Sequence, residues 1–111
     1  MIAKKLSDRV TVAPQIAVSD VPAIKEAGFT VLMCNRPDGE DPGQPTWAEI
    51  SQAAEAAGMQ TSFLPMSSRE DALAVMAEFT RVVDEAPGPV FAYCRSGTRC
   101  EILWSMAEAN R

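Results

Sequence analysis

Pro89-Val90-Phe91-Ala92-Tyr93-Cys94-Arg95-Ser96-Gly97-Thr98-Arg99 is the stretch whose reading decides the fold. Val90 to Tyr93 is a short apolar run directly after Pro87-Gly88-Pro89, the pattern of a buried strand entered from a turn. A helix is expected almost at once, from about Cys100 toward Ala109, with Ile102, Leu103, Met106 and Ala107 facing inward. A loop between a buried strand and a helix aims consecutive backbone N–H groups, and the positive end of the helix dipole, at one point. The residue at that point is Cys94, flanked by Arg95 and Arg99 and followed by Gly97, so the field favours thiolate over thiol and an anion beside it. The backbone from Arg95 through Ser96, Gly97 and Thr98 to Arg99 is the expected anion-binding loop, with the Arg99 guanidinium as helper.

Outward from this segment the chain alternates strands and helices. Arg9 to Ala13 reads as an opening strand that Pro14 limits to an edge or an end. Ser19 is expected to cap a short helix over Asp20 to Ala27, with Val21, Ile24 and Ala27 on its buried face and Gly28 as its stop. Phe29 to Cys34 is almost wholly apolar, as in a strand buried on both faces near the sheet centre. Thr46-Trp47-Ala48-Glu49 reads as a capping box that opens a helix to Ala57, stopped by Gly58. A third strand follows over Thr61 to Pro65, and the longest helix opens at Ser68, with Leu73, Met76, Phe79 and Val83 as its core stripe. The order βαβαβαβα predicts an α/β fold in three layers, a mainly parallel central sheet with helices on both faces. Residues 1–111 read as a single domain without repeats or linkers.

In a parallel sheet the C-terminal strand ends form the ligand rim, which puts Asn35 to Pro45 beside Cys94. That loop offers Arg36 as an accessory donor and Asp38 or Glu40 as a proton source, or else is simply a solvated turn. Cys34 reads as a small buried hydrophobe. Cys100 is either a packed residue of the first helical turn or a second thiol close enough to Cys94 to pair with it when oxidised.

Charge and composition narrow the function. A formal net charge of -5 argues against nucleic-acid or anionic-membrane partners, so any anion site is a local positive pocket. Histidine is absent, which removes serine–histidine and cysteine–histidine catalysis and histidine metal sites. The expected chemistry calls for no metal or cofactor. Three cysteines without metal-ligand spacing, no membrane-length apolar run and no signal-peptide core in Met1 to Val10 point to a cytoplasmic setting.

Cys-x-x-Gly-x-Arg between strand and helix resembles both the phosphate loop of cysteine-dependent phosphatases and the catalytic loop of rhodanese-type sulfurtransferases. Together with Asn35-Arg36-Pro37-Asp38-Gly39-Glu40-Asp41-Pro42-Gly43-Gln44-Pro45, nearly the whole chain resembles the DUF442 family, the phosphatase-like domain of beta-lactamase-hydrolase-like proteins, some members of which carry a sulfurtransferase label. The resemblance implies a cysteine-phosphatase-like fold with Cys94 as nucleophile, Arg99 as anion clamp and Asp38 as the better candidate for an acid. Two departures stand out. Tyr93 holds the place where phosphatases commonly have a histidine, and Arg99 comes one residue early for the phosphatase spacing Cys-x5-Arg, whose arginine position is Cys100 here.

Phosphatase-like hydrolysis is therefore the first functional expectation. Sulfur transfer through a persulfide on the same cysteine is the second, and a catalytically silent anion-binding or redox-sensing module the third. The expected partner is a small or phosphorylated substrate, or a sulfane-sulfur donor. An open site, or one completed by a second copy in a homo-oligomer, is expected because the chain stops soon after its last helix.

Overall fold

The computed structural model describes residues 2–111. Five strands, β1 (Lys4–Lys5), β2 (Val10–Ala13), β3 (Val31–Cys34), β4 (Gln60–Phe63) and β5 (Val90–Tyr93), form one sheet in the order β1-β2-β5-β3-β4. All neighbouring pairs are parallel except β1 with β2. The helices are α1 (Val21–Glu26), α2 (Trp47–Ala56), α3 (Arg69–Glu85) and α4 (Thr98–Ala109).

Side-chain alternation along the strands builds two cores. Val10, Val12, Val31, Met33, Val90 and Ala92 face the side packed by Phe79 and Val83 of α3 and Leu103 and Ala107 of α4. Ala13, Leu32, Cys34, Phe91 and Tyr93 face the other side, with Ile24 of α1 and Ile50 and Ala54 of α2. The sheet is thus sandwiched between two helical layers, and each large apolar side chain removed fully from water contributes about 1.5–3 kcal/mol before entropy is counted. Among the described residues no helix is long and apolar enough to cross a membrane.

The register matters most for the site. Ala13 pairs with Tyr93, Tyr93 with Cys34, and Cys34 with Phe63, so four parallel strands end flush on one row. The ladder continues one step beyond it, through Cys94 N–H to Ala13 O (3.2 Å), Asn35 N–H to Tyr93 O (2.8 Å) and Leu64 N–H to Cys34 O (2.9 Å). The segments after β2, β3, β4 and β5 therefore leave the sheet side by side.

Several local expectations are corrected. The opening strand is interior, its four residues all buried between β1 and β5; Pro14 marks its end, and the two-lysine strand β1 takes the edge. Ser19 does not cap α1: the chain enters through a 3-10 turn over Val18–Asp20, where the Asp20 carboxylate accepts from Ala17 N–H (2.8 Å). Ala27 is exposed at the end of α1. The buried positions of α3 are Ala72, Phe79 and Val83, which turns Leu73 out to 51% exposure. α4 starts two residues earlier than expected, because Gly97 at φ 91° is its N-cap, and Ile102 is 45% exposed.

Candidate active site

Residue parity fixes where the thiol points. Val90, Ala92 and Cys94 share one face of β5 and its extension, so the Cys94 sulfur is directed under the first turn of α4, and the residue is fully buried. Tyr93 and Cys34 point to the opposite face, into the α1 and α2 core. That disposes of Tyr93 as a neighbour of the sulfur and of Cys34 as a thiol partner for it.

The loop then folds back on Cys94. Gly97 sits at φ 91°, a left-handed conformation natural to glycine, and a Cβ there would stand 3.4 Å from the Ala13 carbonyl carbon. Its N–H donates to the Cys94 sulfur at 3.0 Å. A glycine N-cap has no side chain to accept the N–H of the first helical turn, and the sulfur takes that role: the Ser96 and Cys100 N–H groups also turn toward it. The Cys100 thiol supplies the largest stabilisation of the thiolate, followed by these backbone donors against the cost of burial, and brings Cys94 down to about 5. Cys100 itself is pushed well up by burial and by its charged neighbour, so it stays protonated and remains a donor. All three cysteines are free.

Cys100 and Arg99 exchange the places that a Cys-x5-Arg loop would give them. Successive helical residues point about 100° apart, so an arginine at the fifth position after Cys94, one short of the sixth, is swung round the α4 axis away from the sulfur. Arg99 reaches the rim, where its Nη1 donates to Glu40 Oε2 (2.9 Å) and to the Met66 carbonyl (2.9 Å), and its Nη2 to Glu40 Oε1 (2.7 Å). It remains close enough for the Cys94 charge to raise its pKa.

The loop after β3 supplies the carboxylates. Asp38, expected as the proton source, instead accepts from Trp47 N–H at 2.8 Å, drawn to the positive start of α2. Arg36, expected as an anion donor, is buried and fully engaged: Nε with Glu40 (2.8 Å), Nη1 with Gln15 (2.9 Å) and Nη2 with Asp41 (2.6 Å). It holds the rim from within. Arg95 is exposed and pairs with Asp41 at 3.1 Å, while the Ser96 hydroxyl accepts from Thr98 N–H and donates to the Thr98 hydroxyl. Glu40 is thus the carboxylate that meets Arg99, and Asp41 the one that meets Arg95. Gln15, Asp41 and the Met66 carbonyl were not foreseen; the only signal for them was that each follows a strand whose end lies on the rim. A cleft of about 650 Å³ flanks the outer side of the loop, against Ala13, Pro14, Ser96 and Gly97.

Glu40 is held at about 2, first by its hydrogen bonds to Arg99 and then, against burial, by Arg36. Its folded pKa lies below the unfolded value of about 4.3, so the ion pair stabilises the fold fully above that pH and the contribution is lost as pH falls toward 2. Unfolding free energies from urea titration are expected to fall between pH 6 and pH 3 by about 1 kcal/mol, the partly exposed pair being screened by solvent, and by less in Glu40→Gln, which has no such proton to take up.

A buried thiolate capping a helix after the central strand of a parallel sheet defines a cysteine-phosphatase-like α/β domain. The comparisons make this specific. Residues 3–111 match the family described as the phosphatase-like domain of beta-lactamase hydrolase-like protein, and the chain belongs to that family. A beta-lactamase hydrolase-like protein of Agrobacterium fabrum is 40% identical over 109 residues, which cover 98% of this chain and 25% of that protein. The chain thus spans about a quarter of the length of this curated relative. Among solved structures, a candidate phosphatase from Neisseria meningitidis is 36% identical with a TM-score of 0.86, covering 96% of this chain and 75% of that one. A DUF442 candidate phosphatase from Shewanella putrefaciens shares the fold at 15% identity with a TM-score of 0.77, over 96% of this chain and 66% of that one.

Proposed function

We propose that the domain is a thiolate group-transfer enzyme on a phosphatase-like scaffold, with Cys94 as the covalent carrier and sulfane sulfur as its cargo. The observation that carries this is the exchange of Arg99 and Cys100: the sulfur faces a thiol and backbone N–H groups, while the Arg99 guanidinium is bound to Glu40. Phosphoryl transfer from an ester needs a clamp on the equatorial oxygens and an acid for the leaving oxygen. Here the clamp is engaged, Glu40 is ionised, and Asp38 is bound to α2. Sulfur transfer needs only the thiolate, the donors and a nearby cation. The Cys94 thiolate attacks the outer sulfur of a persulfide R–S–SH, a new S–S bond forms, the old one breaks, and RS⁻ leaves with the electron pair and takes the proton. With thiosulfate the leaving group is sulfite. A second thiolate then removes the sulfur from Cys94.

Hydrolysis of phosphate monoesters is the second reading, supported by the family and by the fold of the solved neighbours. Incubation with glutathione persulfide, thiosulfate or an aryl phosphate, followed by intact mass, separates the two. The expected result is a gain of one sulfur that cyanide removes, with weak aryl phosphate turnover. No sulfur adduct together with ready phosphate release would establish the phosphoryl reading.

A further inference from the structure

Glu40 makes three charge-assisted hydrogen bonds: Oε1 accepts from Arg36 Nε and from Arg99 Nη2, and Oε2 from Arg99 Nη1. Its side chain is 26% exposed, and it stands at the mouth of the loop rather than beneath it. Around that mouth three guanidiniums, Arg36, Arg95 and Arg99, are met by two carboxylates, Glu40 and Asp41, in four ion pairs. The Cys94 thiolate balances the remaining charge. A phosphoryl or sulfuryl dianion entering here would find no surplus of positive charge, would have to displace Glu40 from Arg99, and would repel the displaced carboxylate at close range.

We propose that Glu40 is the specificity-determining residue of this site: by occupying Arg99 it turns the loop against dianions and toward the neutral or singly charged end of an organic persulfide. The inference rests on the reading that Cys94 carries sulfane sulfur, and ranks persulfides above thiosulfate, itself a dianion, as donors. Glu40 acts through Arg99 and takes no part in the bond exchange. Its cost to a dianion resembles the rejection of a wrong partner by like charge.

The test reads anion binding without any donor, so that it stands or falls apart from the sulfur assignment. Inorganic phosphate is titrated as a protectant of Cys94 against iodoacetamide, a neutral reagent, with site assignment by mass spectrometry. In Glu40→Gln and Glu40→Ala the half-protecting phosphate concentration is expected to fall tenfold or more. In an Arg99→Ala background the same substitutions are expected to change it little, which a merely structural role for Glu40 would not produce. Glu40→Asp keeps a charge beside Arg36 while withdrawing from Arg99, and is expected to lower the concentration a few-fold; it serves if the neutral variants do not fold. Folded variants in which phosphate protects no better than in the native chain, or an effect that persists without Arg99, would overturn the inference. A failed sulfur adduct with this phosphate result intact would instead remove the sulfur reading and leave Glu40 as the guard against dianions.

Discussion

Cys94→Ser is expected to lower kcat/KM for any sulfane or phosphoryl donor by at least about 10⁴-fold, the scale on which loss of a covalent nucleophile acts. The reason is electronic rather than steric. The Cys100 thiol, the Cys100 N–H and the Gly97 N–H at 3.0 Å bring a thiol to about 5, but a hydroxyl starts so much higher that the same donors leave it protonated at neutral pH. The serine keeps those hydrogen bonds, so the fold should be retained, as unchanged urea midpoints would show. Arg99→Ala should cost on the order of 10²-fold by comparison, since it removes one cation beside an intact carrier. A Cys94→Ser protein that still gains a cyanide-removable sulfur would move the carrier to Cys100 or Cys34, against the protonated state of the Cys100 thiol and the orientation of Cys34 to the far side of the sheet.

Cys100→Ala is expected to move the midpoint of Cys94 alkylation clearly upward from near pH 5, because it removes the leading donor to the thiolate and leaves the desolvation cost in place. Cys100→Ser retains a donor and should move it less. The midpoint of the pH profile is the quantity to read. A more basic thiolate is intrinsically the better nucleophile, with a Brønsted slope of about 0.4–0.5, which offsets much of the lost thiolate fraction at a single pH. An unchanged midpoint in Cys100→Ala would mean that the N–H groups and the helix dipole suffice, with Cys100 only filling space.

The layered fold was largely legible because its signals are local. Four apolar or half-apolar runs, separated by helices with recognisable starts such as Thr46 and Ser68 and stops such as Gly58, imply a parallel sheet covered on both sides. The misplacements share a cause: they concern orientation and sheet order. Leu73 and Ile102 are apolar at helical spacing, yet which part of a helix meets the sheet is set by packing of Ala72, Phe79 and Leu103, which leaves Leu73 and Ile102 at the margin. The two-residue strand β1 is too short and too charged to announce itself, and it is this strand that makes β2 interior.

The site divides the same way. The amino-acid order alone puts a cysteine between a buried strand and a helix with a glycine three residues on, and that is enough to aim backbone N–H groups and a helix dipole at one sulfur, because those contacts lie within seven residues. It also sets the spacing that leaves Cys100, not an arginine, at the sixth position. The tertiary structure decided the partners of the charges. Arg99 could have faced the loop or the rim, and Asp38 read as a better acid than Glu40; the flush ends of β2, β3, β4 and β5 bring Gln15, Glu40 and Met66 to the mouth, where Glu40 is the carboxylate within reach of both Arg36 and Arg99. Side chains 21 to 59 positions apart meet only through sheet register, and register is a property of the assembled core, fixed by which faces must be buried rather than by any residue of the loop itself.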